Sequence, residues 1–87
     1  MFLELNITDL MQHPMATGFI KDLPIKGIRH GNKSFFDSWL VVEGQQDRLE
    51  AIHKILLGDN EAMVRKMKVK TRLRERCPKN LQPYERQ

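Results

Sequence analysis

Residues Lys66 to Arg76 read KMKVKTRLRER, and whether they form a strand or a helix decides the fold. Every even-numbered position is Lys or Arg, while Met67, Val69, Thr71, Leu73 and Glu75 fill the odd ones. Strict alternation is the period of a strand. A helix would turn successive even positions through about 200° and scatter the basic side chains around its circumference. Val69 and Thr71, β-branched, also favour extended backbone. The stretch is therefore expected as a strand over 66–76. Met67, Val69 and Leu73 pack beneath helices, and Lys66, Lys68, Lys70 and Arg72 project from an open face, with Arg74 and Arg76 continuing the row.

Upstream of this strand, Gln45 to Leu57 carries Leu49, Ile52 and Leu56 at helical spacing, with Ile55 widening the stripe, Asp47 near the start and Gly58 as the stop. Before it, SFFDSWLVVEG is apolar on both faces, Phe35, Trp39 and Val41 against Phe36, Leu40 and Val42, which suits a central strand near 34–43. IKGIRHGNK predicts a strand near 25–30 and a turn at Gly31 and Asn32. At the other end, Leu3, Leu5 and Ile7 alternate with Phe2, Glu4 and Asn6, the pattern of a half-buried strand. Thr8 is a candidate cap for a helix that Pro14 and Gly18 keep short or kinked. The order strand, short helix, strand, strand, helix, strand predicts an α+β fold, a ferredoxin-like split βαβ sandwich in which the last strand lies at an edge beside the first. Residues 1–76 form the domain, and 77–87, with Pro78 and Pro83 and few apolar side chains, form a flexible basic C-terminal tail.

A chain of 87 residues holds one small domain and no large enclosed active site. Its net charge of +4 is unevenly placed. Residues 1–44 carry Lys21, Lys26, Arg29 and Lys33 against Glu4, Asp9, Asp22, Asp37 and Glu43, so the excess lies in the C-terminal half. That distribution favours an acidic partner, nucleic acid first. Cys77, the one cysteine, allows no intrachain disulfide and no Cys-rich zinc site. The start, MFLELNITDL, has no basic leader followed by a long apolar run, and no segment approaches the ~18 apolar residues of a spanning helix. A cytoplasmic protein with no membrane partner is expected.

Side chains two apart on a strand repeat at about 6.6 Å and point the same way, a spacing at which a row of cations follows a phosphate backbone. Lys66, Lys68, Lys70, Arg72, Arg74 and Arg76 are thus the candidate nucleic-acid contacts, helped by Arg29 and Lys33 around the predicted turn. Trp39 is a candidate for stacking on a base, against the more ordinary reading of a packing role in the sheet. An edge strand also carries lysines simply to discourage sheet-to-sheet pairing, although one or two suffice for that. The RNA recognition motif pattern is missing from KSFFDSWLVV. For catalysis, His13, His30 and His53 are unclustered by spacing, and no Walker loop, nucleophile elbow, zinc-protease or calcium-loop motif occurs. No enzyme activity, cofactor or metal is expected.

The run from Trp39 to Arg72, WLVVEGQQDRLEAIHKILLGDNEAMVRKMKVKTR, resembles the second half of the sixth small-subunit ribosomal protein of bacteria. In that family a central strand ending near an acidic residue leads to a helix, a short Asn/Asp turn, a basic alternating edge strand and a flexible tail. Thr8 to Leu23 departs from the family's long first helix, being shorter and broken by Pro14 and Gly18. The resemblance implies a non-enzymatic ribosomal protein that contacts RNA and pairs with a small basic neighbour, and only Lys66 to Arg72 would inherit an RNA-facing role.

The expected function is therefore a non-enzymatic nucleic-acid-binding protein, ribosomal-type or regulatory, with RNA favoured over DNA. The alternative is a small protein–protein interaction module, an adaptor or inhibitor of mobile-element type, that docks its basic edge strand on an acidic partner surface. Homo- or hetero-oligomers joined through the edge strand belong with either.

Overall fold

A computed structural model describes residues 1–31, 37–57 and 68–84. Strand β1 (Phe2–Asn6) runs straight into helix α1 (Ile7–Gln12), followed by a 3-10 helix over Pro14–Phe19. Strands β2 (Ile25–His30) and β3 (Ser38–Glu43), helix α2 (Gln46–Leu56) and strand β4 (Thr71–Arg74) complete the chain order. The fold is α+β, with one four-stranded sheet in the order β2-β3-β1-β4. All three neighbouring pairs are antiparallel.

Helix α1 is capped by Asn6 rather than by the expected Thr8. The Asn6 side chain accepts the Asp9 backbone N–H at 3.1 Å, and an extended residue with such an oxygen satisfies one of the first-turn donors. The helix stops where proline removes the next donor. Pro14 then opens the 3-10 segment, in which Ala16 is buried. In α2, Leu49, Ile52 and Leu56 are buried, with Asp47 in the first turn and Lys54 in the last, both charges favourable to the helix dipole.

These helices cover one face of the sheet. Leu3 and Leu5 of β1, Leu40 and Val42 of β3, and Leu49 and Leu56 of α2 meet there in the core cluster, joined by Val69. The opposite face carries Glu4, Trp39 and Val41, and all three are buried although they lie outside that cluster. The expectation of an open second face is therefore corrected at its centre.

The last strand is also shorter than expected. Of the expected strand over 66–76, regular pairing covers Thr71–Arg74 and leaves out 68–70 and 75–76, while Lys66 and Met67 lie outside the described residues. The cause is the length of β1, its one neighbour among the described residues. β1 offers five residues, and at Asn6, whose N–H donates to the Lys70 carbonyl at 2.9 Å, the chain turns into α1. Beyond that point the backbone of 68–70 finds other partners: Val69 N–H donates to the Leu56 carbonyl at 2.7 Å and Lys70 N–H to Asp9 Oδ2 at 3.0 Å. The alternation itself persists, with Val69 and Thr71 buried and Leu73 half-buried against exposed Lys68, Lys70, Arg72 and Arg74.

After β4 the chain travels from one sheet edge to the other. Gln82 forms a two-way bridge with Ile28 on β2, with both N–H to carbonyl distances 2.9 Å. Gly27 permits this approach. Its φ is +149°, and a Cβ there would lie 2.6 Å from the Gln82 carbonyl oxygen and 2.9 Å from Leu81 Cβ. Gly27 is also in register with Val41, so Leu81 sits over the face that bears Val41.

Gly27→Ala is expected to destabilise the protein by about 2 kcal/mol, through backbone strain and overpacking. Gly18→Ala, where nothing lies within 4 Å of the new Cβ, should stay within about 0.5 kcal/mol of the parent. Urea unfolding of both variants is the measurement, and equal midpoints would refute the close-approach account.

Candidate nucleic-acid interface

β1 places Glu4 in the middle of the sheet, in register with Val41 of β3 on one side and Arg72 of β4 on the other. Its side chain is fully buried, and a buried carboxylate is tolerated only when its charge and lone pairs are met. Arg29 reaches it from β2, with Nε donating to Oε2 and Nη2 to Oε1 at 3.2 Å. Arg74 reaches it from β4, Nε donating to Oε1 at 2.7 Å. Burial works against ionisation of Glu4, but the hydrogen bonds and charges of Arg29 and Arg74 outweigh it and hold the carboxyl below its ordinary value.

Trp39 adjoins this cluster. Its indole Nε1–H donates to Asp37 Oδ1 at 3.2 Å, and the ring is 4% exposed. The Arg72 guanidinium lies 4.7 Å from the ring centroid and that of Arg29 lies 5.7 Å away, both within cation–π range. The ring proposed for stacking on a base thus already has guanidinium neighbours. Sequence patterning did not reveal this, because Arg72 and Trp39 are on strands separated by β1.

The predicted basic row divides into groups. Arg72 and Arg74 join Arg29 on the face with Glu4 and Trp39. Lys68 and Lys70 instead line a depression of about 400 Å³ with Asp9, Leu57 and Val69. Arg76 is exposed beyond the end of β4. Lys66 and Lys33 lie outside the described residues. Among the described residues, Lys68, Lys70, Arg72 and Arg76 form no ion pair, whereas Arg29 and Arg74 share Glu4.

The histidines do other work. His53 bonds through Nδ1 to the Thr71 hydroxyl, linking α2 to β4. His30 lies 2.9 Å from Ser38 Oγ through Nδ1 and 3.1 Å from Gln82 Oε1 through Nε2, tying the C-terminal segment to β2. Among the described residues no group of three or more His, Cys, Asp and Glu side chains comes together as a metal site, and no helix is long and apolar enough to cross a membrane. An apolar depression of about 420 Å³ lies on the helix-covered side, lined by Ile7, Leu10, Met11, Ile28, Leu40 and Tyr84 among others.

Because the folded-state pKa of Glu4 is depressed, its contribution to stability is full above its ordinary value of 4.5 and is lost as pH falls below that value through the folded one. Glu4→Gln is expected to cost about 2 kcal/mol at neutral pH, less than a wholly buried pair because both arginines are partly solvated. The variant should also show a shallower fall in stability below pH 4.5. Denaturation midpoints across the acid range check this, and an unchanged acid profile would remove Glu4 from its central role. Comparison with family models, with curated proteins and with solved structures returned no match for this chain.

Proposed function

We propose that the protein is a non-enzymatic, cytoplasmic nucleic-acid-binding protein, with RNA favoured, that contacts the phosphate backbone through the edge segment containing β4. One observation carries this role. Lys68, Lys70, Arg72 and Arg76 are exposed within nine consecutive residues and form no ion pair among the described residues. Phosphate contacts of this kind supply most of the affinity in sequence-independent binding. The two arginines already matched by Glu4 add less. The interleaved strand order, with β4 beside β1 and β3 between β1 and β2, supports a ferredoxin-like account of the fold. A ribosomal-type role, as the likeness of Trp39 to Arg72 to the sixth small-subunit protein implies, and a regulatory one both use this edge.

The second role, a module docking on an acidic protein surface, is favoured by the position of β4 at the end of the sheet. An end strand presents unpaired backbone groups to which a partner strand adds.

With four phosphates engaged, log K for single-stranded RNA should fall with log salt at a slope of about −2.8. Joint replacement of Lys68 and Lys70 by Gln should reduce that slope by about 1.4 and weaken binding at every salt concentration. Titrations at several salt concentrations give both values. An unchanged slope and affinity in the double variant would sink the proposal. Salt-sensitive binding of an acidic protein, with none of RNA, would transfer it to the second role.

A further inference from the structure

The face around Glu4 and Trp39 holds three guanidiniums and two carboxylates, Glu4 and Asp37, and they are not equivalent. Glu4 accepts three hydrogen bonds from Arg29 and Arg74, against roughly four acceptor sites on an ionised carboxylate. Arg72 stands in register with Glu4 on the next strand, yet its guanidinium does not bind the Glu4 carboxylate. Its guanidinium stacks near Trp39, at 4.7 Å from the ring centroid, and the residue is exposed. A cation–π contact uses the flat face of a guanidinium and leaves its five in-plane N–H donors available. Among the described residues the Arg72 side chain forms no hydrogen bond or ion pair. A long side chain is thus held in one place by a ring, with its donor fork unused.

We propose that Arg72, seated on Trp39, is the fork that takes a backbone phosphodiester of a single-stranded nucleic acid in bidentate fashion. The assignment rests on the nucleic-acid-binding role above and names the contact within it. The two non-bridging oxygens of a phosphodiester match the spacing of a guanidinium fork, which an ammonium cannot reproduce. Positive charge favours the same site, since the two carboxylates there, Glu4 and Asp37, balance only two of the three neighbouring arginines. Stacking on Trp39 also removes part of the rotamer freedom that an isolated surface arginine would lose on binding. The lysines at 68 and 70 have no comparable support, and act as point charges on the path of the strand.

Trp39 is the only tryptophan in the chain, so its emission reports directly on this site. The full-length protein is titrated with a single-stranded oligouridylate at two salt concentrations, using the parent, Arg72→Lys, Arg72→Gln and the double variant of Lys68 and Lys70 to Gln. Arg72 is at an exposed edge, so both of its variants should fold, as circular dichroism would verify. Saturation should change Trp39 emission in the parent. Arg72→Lys keeps the charge and should therefore keep the salt slope, but bind about tenfold more weakly. Arg72→Gln should lose a further part of the affinity and about 0.7 of the slope. If Arg72→Lys binds like the parent while the Lys68 and Lys70 variant is weakened, the fork is overturned and the nucleic-acid role stands. If the parent itself binds no oligonucleotide at low salt, both fall.

Discussion

An ionised carboxylate buried in the middle of a sheet must have its charge answered by neighbours, and Glu4 imposes that demand on strands β2 and β4. Arg29 arrives from β2 and Arg74 from β4, so one side chain on β1 links strands that are not adjacent to each other. Their geometry sets what remains: Arg72, left without a carboxylate among the described residues, stacks at Trp39. A buried ion pair of this kind is weak evidence for added stability, because desolvation offsets much of its attraction. Its consequence is positional. Arg29 and Arg74 are held on one face, and their charge is partly neutralised there.

The sheet therefore has two dissimilar buried layers. On the helix side, Leu3, Leu5, Leu49 and Leu56 form an apolar core of ordinary kind. On the other, Glu4, Trp39 and Val41 are buried, the first two against arginines, with the C-terminal segment returning at Gly27. The missing Cβ of Gly27 lets backbone approach backbone there, and Gln82 pairs with Ile28 beside it. A small domain buries a limited fraction of its surface, and a second layer assembled from ion pairs, an indole and a returning segment adds to what one helix-covered face supplies.

Much of the architecture was legible from local patterns. Leu49, Ile52 and Leu56 at helical spacing marked α2, and the doubly apolar run around Trp39 to Val42 marked a strand that lies between two others. Alternation in Val69, Thr71 and Leu73 identified the helix-facing side of the last segment. The cap of α1 was misplaced because Asn6 and Thr8 are both competent cap residues, and the choice depends on where β1 stops. The extent of β4 was overestimated for a related reason. Alternating sequence describes which way side chains point, whereas pairing needs a neighbour, and β1 ends at Asn6.

By itself the sequence determined the element types, the excess of cations near the C-terminal end and the separation of apolar from basic positions, because these follow from periodicity and composition along a single segment. Only the tertiary structure decided which of those cations keep their charge unmatched. Arg29, Glu4 and Arg74 are far apart in the chain and converge through strand order, as do Arg72 and Trp39. Charge pairing and stacking act through distance in space, and that distance is set by the register of four strands rather than by spacing in the sequence.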